Sequence, residues 1–374
     1  MKKRTVPKGP SKDESGTVPV NDAVPPADPP QPKRNKNQKR LGEARGIFSR
    51  FLTLAKFLVV IMIATPIINY AALKRESMQL LPEFGELYDI GWGQKLFMMC
   101  HGEGTPTVIL DAPTGMSSDA WFLVWPEVAK KTRVCIYDRA GLGLSDRPFQ
   151  NSTSPDDEEV ASNYRNRWQS FTAERMVEDL RTLLTHSSNQ AQPFILVGAE
   201  LGALLAQFYT QMYDSTISAI VLINPLPDDL FEQDDGIWSQ YWFGQLIPSF
   251  QTLQLGAAIG LSRLALIFGM IQHPLAEVGG LSDEVKNRQK HLLCHPKHLS
   301  SVVDEHHFIN ETFSQMRTVR LLRNIPSNIS ISVLTGNYYD EQMHSTLNKA
   351  WAKSERNLLS KHFPGSPAYC YKWR

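Results

Sequence analysis

The stretch Pro193-Phe-Ile-Leu-Val-Gly-Ala-Glu-Leu-Gly-Ala-Leu-Leu-Ala-Gln207 decides how this chain folds. An apolar, β-favouring run leads directly into the small residues of Gly198-Ala-Glu-Leu-Gly202, and a helix-forming apolar segment follows. This is the strand, sharp turn and helix of a G-x-S-x-G nucleophile elbow, in which small neighbours let a strained turn lift one side chain above a sheet. Glu200 stands where that motif has serine. The pattern therefore predicts the scaffold of an acyl-transfer site with an unusual residue in the nucleophile position.

The first 50 of the 374 residues differ in composition from the rest. Eight prolines precede Asn35, and the run 33–40 holds five Lys or Arg. A segment with so few apolar side chains cannot offset the entropy lost on ordering, so we predict a disordered basic tail over residues 1–50. The remaining length fits one large α/β domain or two smaller ones, and a hydrophobic share of 42% is ordinary for a globular core.

An apolar segment follows the tail. Residues 57–73 carry no charge, and with the short run before them they approach the roughly 20 residues that cross a bilayer. Pro66 and Asn69 weaken the segment, although a spanning helix tolerates a kink. The alternatives are a buried core helix and a cleaved signal peptide. The preceding tail is longer than the charged region with which a signal peptide normally begins. We predict a transmembrane signal anchor over residues 51–73.

The distribution of charge gives this anchor a direction. Residues 1–56 hold 13 Lys or Arg and five Asp or Glu, which leaves 26 basic and 33 acidic residues after them, so the net charges are about +8 and about −7. The positive-inside rule then puts the tail in the cytosol and the body in the lumen. This is a type II, single-pass arrangement in the endoplasmic reticulum or another secretory-pathway membrane. Lys74 and Arg75, on the far side of the apolar segment, oppose it mildly.

Three further features of the sequence concern the cellular compartment and the binding partners of the protein. The N-x-S/T triplets at Asn151, Asn310 and Asn328 are compatible with luminal glycosylation, so we predict a glycoprotein. Four cysteines are too few for a disulfide scaffold and do not decide the redox compartment. Beside a membrane anchor, the basic tail favours anionic lipid over nucleic acid as its partner.

From residue 86 onward, short apolar strands alternate with helical stretches. A hairpin is predicted from 86–90 and 95–100, and a helix from Trp121 to Lys130. Further strands are predicted at 107–111, 133–137, 194–197, 219–223 and 329–334. Strands that alternate with helices form a mostly parallel sheet covered on both faces, so residues 86–374 are predicted to fold as one α/β domain.

The alternation stops between residues 226 and 307. Aromatic residues from Trp238 to Phe243 and the apolar stretch 253–271 predict helices inserted directly after a strand end, where they would cover the pocket as a lid. Because 253–271 carries only one charge, Arg263, a second membrane contact is the alternative. Its glycines and its place inside the domain favour the lid.

Three segments together resemble the α/β-hydrolase superfamily, and the resemblance covers roughly residues 87–371. Tyr137-Asp-Arg-Ala-Gly-Leu-Gly-Leu-Ser-Asp-Arg-Pro148 is similar to the family's D-R-x-G-x-G-x-S turn, and 194–202 is similar to its elbow. Val333-Leu-Thr-Gly-Asn-Tyr-Tyr-Asp340 is similar to the strand and loop that present the acid. The resemblance implies an α/β-hydrolase fold with a mostly parallel sheet and a helical lid, here preceded by one transmembrane helix.

The resemblance also implies catalytic positions. The nucleophile position falls on Glu200 and the acid position on Asp340, with Asp228 and Asp229 after the preceding strand as alternatives for the acid. No residue matches the family's histidine, which follows one further strand. Residues 366–374 can supply that strand, and then the chain stops.

The oxyanion donors implied by the resemblance are backbone N–H groups of Leu201 and of the Thr114-Gly115 turn. We expect the carboxylate of Glu200 to fold back onto these groups at the start of a helix, which would lower its pKa. Asp111 follows a buried strand and is interpreted as a turn cap, with a contact to the pocket as the alternative. Six His or Cys residues between 291 and 307 match no closed metal site, so neither a metal nor another cofactor is predicted.

The residues at the expected nucleophile and histidine positions predict that the protein is catalytically impaired. Without a hydroxyl and a neighbouring base, acyl transfer is not expected. Relatives such as epoxide hydrolases and haloalkane dehalogenases use an aspartate at the elbow, but turnover of their ester intermediate requires a histidine that activates water. We therefore expect a membrane-anchored pseudoenzyme that binds a lipid-like small molecule or a protein partner. The alternative is an active hydrolase of an ester, amide or epoxide that uses Glu200, or a longer form that regains the histidine.

Overall fold

The computed structural model describes residues 36–77, 79–91, 93–148, 171–187, 190–336, 343–364 and 368–371. By their contacts the residues divide into two compact units, Met1–Leu58 and Val59–Arg374. The second unit contains the sheet, the helices that cover it and the candidate site.

An eight-stranded sheet forms the centre of the second unit. The strands are β1 (Gly85–Asp89), β2 (Lys95–His101), β3 (Thr107–Asp111), β4 (Val134–Tyr137), β5 (Phe194–Ala199), β6 (Ile217–Ile223), β7 (Ser330–Gly336) and β8 (Ala368–Tyr371). Their order is β1-β2-β4-β3-β5-β6-β7-β8. The pairs β1·β2 and β2·β4 are antiparallel, and the other five are parallel. The predicted hairpin and the mostly parallel sheet are confirmed.

Eleven α-helices lie in the described part of the chain. They are α1 (Lys36–Ser77), α2 (Trp125–Ala129), α3 (Ala173–His186), α4 (Leu201–Met212), α5 (Ile237–Tyr241), α6 (Ile247–Ala258), α7 (Leu261–Ile267), α8 (Asp283–Leu293), α9 (Pro296–His307), α10 (Ile309–Leu322) and α11 (Ser345–His362). Short 3₁₀ helices cover Ser118–Trp121, Asp214–Thr216 and Asp234–Gly236, and a π-helical turn covers Trp242–Leu246. The elements α5 to α9 occupy the stretch predicted to form the lid.

Two helix boundaries differ from the sequence predictions. The single helix expected from Trp121 to Lys130 is a 3₁₀ turn followed by α2, because Pro126 has no N–H to extend a preceding helix and instead starts a new one. The helix α1 begins at Lys36, although the predicted disordered tail ran to residue 50. Residues 36–50 lack proline and hold five Lys or Arg with single Gln, Leu, Glu and Ala residues, whose helix propensity outweighs the polar composition.

One described helix, Phe48–Ser77 within α1, is long and apolar enough to cross a membrane. A bent pair of elements, Asp234–Ala258 with Leu261–Ile267, passes the same test when it is counted as one. The two parts of that pair meet at an angle of 93°.

The core forms on both faces of the sheet. On one face α3 and α4 pack against Ile109, Leu196 and Ile220, and 11 of the 12 residues of α4 are buried. On the other face Trp121 packs with Val108. The central strands read as continuous apolar runs because helices or connecting segments cover both faces.

Cys100 and Cys135 form a disulfide that joins β2 to β4. The two residues lie directly opposite each other in the antiparallel pair. Cys294 is a buried free thiol. The cysteine count alone gave no sign of this bridge, because the pairing depends on β4 lying next to β2.

Candidate functional site: a carboxylate elbow

The predicted elbow is present where β5 meets α4. Glu200 has φ 50° and ψ −110°, a backbone conformation that side-chain-bearing residues rarely adopt and that marks functional turns. Its N–H donates to Ile223 O at 3.0 Å, which ties the turn to β6. A Cβ on Gly198 would overlap the backbone of Gly202, and a Cβ on Gly202 would overlap the backbone of Asp111 and Ala112. The chain therefore keeps the strained geometry of an elbow while carrying a glutamate.

The carboxylate of Glu200 turns towards the loop after β3. Thr114 N donates to Glu200 Oε2 over a long 3.4 Å. Burial raises the pKa of Glu200, and this effect exceeds the opposing hydrogen bonds from Thr114 and the attraction of Arg139. The expected lowering of this pKa is thus wrong, because one long N–H contact does not offset the desolvation of the carboxylate.

Beneath the elbow lies a buried ion cluster centred on Arg139. Its guanidinium pairs with Glu305 through two hydrogen bonds, from Nε to Oε1 at 2.7 Å and from Nη2 to Oε2 at 2.9 Å. Its Nη1 donates to Asp111 Oδ1 at 2.6 Å and to Ala112 O at 2.7 Å. The side chains of Arg139, Asp111 and Glu305 are 3%, 7% and 0% exposed. We call these three residues the buried ion cluster.

Asp111 belongs to this cluster, so its interpretation as a turn cap is wrong. Its second oxygen accepts a hydrogen bond from the Tyr137 hydroxyl at 2.7 Å. Burial raises the pKa of Asp111, although Arg139 and Tyr137 pull it down. Arg139 thus contacts the carboxyl groups of Asp111 and Glu305 and also attracts that of Glu200, whose pKa burial raises as well.

The turn that was expected to supply oxyanion donors is occupied by the chain itself. Gly115 N donates to Glu305 Oε2 at 2.8 Å, and Thr114 N donates to Glu200. Leu201, the third expected donor, is the buried first residue of α4. Two of the three N–H groups that would stabilise a tetrahedral oxyanion thus already face carboxylates.

A histidine that no sequence motif assigns to the site lies against this turn. The ring of His306, from α9, sits where a Cβ of Gly115 would be. Its Nδ1 donates to Val302 O at 2.7 Å, and the ring packs on Phe250 at a centroid distance of 4.7 Å. Burial lowers the pKa of His306, so the ring is neutral near pH 7 with Nε2 unprotonated. Its position in a lid helix does not match the family's histidine, which is why motif matching missed it.

Of the expected acid positions, Asp340 lies outside the described residues. Asp228 forms an ion pair with Arg320 at 2.8 Å, and Asp229 accepts from Gln233 at 2.8 Å. Both line a cavity of about 580 Å³ whose lining does not include Glu200. The two alternatives for the acid are therefore engaged elsewhere.

The histidine-rich stretch does not converge on one point. His291 Nδ1 contacts Glu76 Oε2 at 2.9 Å, whereas His298 accepts from Gly143 N at 3.2 Å and has its pKa lowered by burial to about 3. His295 caps α9 by accepting from His298 N. Among the described residues, no group of three or more His, Cys, Asp or Glu could hold a metal ion.

A cavity of about 1060 Å³ lies beside the elbow rather than over it. Its walls come from the end of α1, the segment that follows it, β2 and helices α7 and α8. Apolar side chains include Phe84, Phe97 and Trp125, and charged ones include Arg263 and Arg288. Glu200 is not among its lining residues, so the cavity is separate from the elbow.

Comparisons with known proteins agree with this architecture. Residues 95–261 match the family model described as alpha/beta hydrolase fold. "Uncharacterized protein YbdG" of Bacillus subtilis (strain 168) is 23% identical over 176 residues, 46% of this chain and 47% of that protein. The match thus spans about half the length of that relative.

Solved structures share the fold at low identity. The Cif epoxide hydrolase from Acinetobacter nosocomialis superposes with a TM-score of 0.54 at 14% identity, covering 82% of this chain and 90% of that one. The epoxide hydrolase CorEH gives a TM-score of 0.50 at 14% identity, covering 77% and 90%. Identities this low show the fold alone. Together with the matched family model and the sheet order, they show that the chain has the α/β-hydrolase fold.

Proposed function

We propose that this chain is a membrane-anchored member of the superfamily that has lost hydrolytic turnover and acts by binding a lipid-like ligand or a protein partner. One observation carries the proposal. The nucleophile position holds Glu200, and the Thr114 and Gly115 N–H groups face carboxylates of Glu200 and Glu305. An anionic intermediate would have to displace these carboxylates before it could use the donors.

The buried ion cluster supports the same reading. Arg139 holds Glu305 by two hydrogen bonds, so Glu305 cannot leave Gly115 without exposing a buried charge. Positioned donors lower a barrier only where they face the charge that develops in the transition state. Here the N–H groups of Thr114 and Gly115 face resident carboxyl groups instead.

The membrane part of the proposal rests on several features. The apolar Phe48–Ser77 helix follows a strongly basic segment, which favours a cytosolic tail and a luminal body. The Cys100–Cys135 disulfide fits an oxidising compartment. Asn310 and Asn328 are exposed, as glycosylation requires, and Asn151 lies outside the described residues. The proposed location is the endoplasmic reticulum or another secretory-pathway membrane.

The experiment for the catalytic part measures turnover by the full-length chain in detergent micelles. Short p-nitrophenyl esters and styrene oxide serve as probes, with wild type, Glu200→Ala and Glu200→Ser compared. We expect none of the three to exceed background, because restoring a hydroxyl leaves Glu305 on Gly115. Steady wild-type turnover that Glu200→Ala abolishes would overturn the proposal.

A second candidate is hydrolysis in which Glu200 acts as an acid. Its elbow backbone is retained, its raised pKa suits proton donation, and neutral His306 lies against the neighbouring turn. This candidate predicts epoxide turnover that falls both on Glu200→Gln and on His306→Phe. Loss with only one of the two variants would not fit an acid and base working together.

A further inference from the structure

One face of α1 differs from the rest of the helix. Four residues recur at intervals of four, four and three, so they form a single line along it: Thr65, Asn69, Leu73 and Glu76. Asn69 and Leu73 are buried, at 3% and 9% exposure, whereas Ile67 and Ile68 on other faces are more than 60% exposed. We call this line the docking stripe.

The docking stripe supplies donors to the end of a lid helix. Thr65 Oγ1 donates to Ile259 O at 2.7 Å, and Asn69 Nδ2 donates to Ala257 O at 3.0 Å and Cys294 O at 3.1 Å. These carbonyls lie at or just past the ends of α6 and α8, where N–H partners within a helix run out, and Gly260 N also donates to Ala257 O at 3.1 Å. The side chains of α1 add donors in place of water, as a site in hydrocarbon would require.

The chain comes close to α1 at Gly260, one of the residues between α6 and α7. Gly260 has φ +77°, and a Cβ there would overlap the backbone of Thr65 and Pro66. The corner between α6 and α7 thus packs backbone to backbone on α1. We call residues 255–270 the lid corner.

Position along α1 fixes the depth of this contact. Thr65 is the central residue of the uncharged stretch 57–73, with eight residues on each side. At 1.5 Å per residue this is roughly 12 Å from either end, close to half of a hydrocarbon core of about 30 Å. If α1 spans the bilayer, its contact with the lid corner lies near the middle of the hydrocarbon.

The outer surface of the lid corner suits that depth. Its large exposed side chains are all apolar: Leu255, Ile259, Leu261, Ile267, Phe268 and Met270, at 40–73% exposure. The one charge, Arg263, pairs with both carboxylate oxygens of Glu76 at 2.6 and 2.9 Å and with Asn69 Oδ1 at 2.9 Å. An intramembrane charge with such partners is the arrangement expected inside a protein bundle.

We infer that the lid corner is embedded in the acyl chains of the bilayer, as a second membrane contact clamped to α1. The inference rests on the proposed membrane anchor. The 1060 Å³ cavity is also lined by Leu266 and Ile267 of α7, so an amphiphile would reach it from the lipid. The lid then joins the membrane to the folded body instead of covering a water-filled pocket.

Spin-label depth measurements on the full-length chain in phosphatidylcholine vesicles test this inference. Single cysteines at Phe268, Ile67 and Leu321 are introduced in a background with Cys294→Ala and Cys370→Ala. Leu321 is the matched control, since it is an 88% exposed leucine on α10. All three residues are exposed, so the variants should fold.

The inference predicts that labels at 268 and 67 are reached by oxygen and shielded from an aqueous nickel chelate, while the label at 321 is open to the chelate. A label at 268 as open to the chelate as that at 321, with 67 shielded, would overturn the inference alone. Open labels at both 268 and 67 would overturn the anchor as well. A label at 268 shielded from both reagents would indicate that residue 268 contacts protein, and this result would also overturn the inference.

Discussion

Replacing Arg139 by methionine tests the buried ion cluster and its hold on the elbow. The substitution keeps most of the apolar length of the side chain but leaves Asp111 and Glu305, 7% and 0% exposed, without their cation. Removing one partner of a buried ion pair destabilises a protein by about 3–5 kcal/mol. At roughly 2–4 °C per kcal/mol for a large domain, the melting temperature should fall by roughly 6–20 °C at pH 7.

The assay is urea unfolding of the full-length chain in micelles, followed by tryptophan fluorescence from pH 8 to pH 5. Burial raises the folded-state pKa of Asp111, and in Arg139→Met this carboxyl has lost the cation that opposed the rise. Its ionisation therefore destabilises the variant above that pKa, and the loss relative to wild type should shrink as the pH falls. Arg323→Met is the control, because the Arg323–Asp214 pair is similar in length at 2.8 Å but 50% and 29% exposed. It should lose less than about 1 kcal/mol. A pH-independent loss as small as that of the control would refute the reasoning.

Three further predictions concern other groups. Because burial raises the pKa of Glu200, Glu200→Gln should be more stable than wild type at pH 7, and the gap should close as the pH falls through the folded-state pKa; a thermal midpoint lower than wild type at pH 7 would contradict this. Glu355→Gln serves as a positive control for this titration, since burial raises the pKa of Glu355 to about 7. Asn69→Leu should cost about 1–3 kcal/mol in urea unfolding, because it leaves Ala257 O and Cys294 O without the Asn69 donor; an unchanged midpoint would contradict the clamp. Cys100→Ser should cost about 2–4 kcal/mol, and reductant should lower wild type to the same level but leave the variant unchanged.

The sequence predicted the elbow well, because its signals are local. The strand, the small residues around Glu200 and the apolar helix after it follow one another within 20 residues. The same holds for the hairpin of β1 and β2. Turn chemistry and periodicity act over short distances, so the chain itself carries this information.

The interior of the site was not predictable in the same way. In the sequence, Arg139 belongs to a turn motif and Glu305 lies in the histidine-rich stretch 291–307. Although they are 166 residues apart, the two form two hydrogen bonds. The direction of the Glu200 pKa shift also depends on how much protein covers the carboxylate. Burial is a property of the assembled fold. The position of Glu200 at the start of a helix therefore predicted the wrong direction for its pKa shift.

Asn69 shows the same limit in the membrane segment. In the sequence it weakens a lone spanning helix, whereas in the structure it caps carbonyls of α6 and α8 and accepts from Arg263. A polar residue in an apolar helix can be interpreted only when its partner is known, and here the partners lie 188 to 225 residues away in the chain.

The most direct test of the central claim is whether Glu200 ever forms a bond to a substrate. The full-length chain is incubated with styrene oxide or p-nitrophenyl acetate in H₂¹⁸O, and the peptide containing Glu200 is examined by mass spectrometry. With styrene oxide, a carboxylate nucleophile would either remain as a trapped ester or take up an oxygen when water attacks that ester and releases the diol; with p-nitrophenyl acetate, the readout is a trapped acetyl adduct and release of p-nitrophenol. We predict an unmodified peptide without ¹⁸O in wild type, as in Glu200→Gln. An adduct on Glu200, or a gain of one ¹⁸O in wild type alone, would contradict the account.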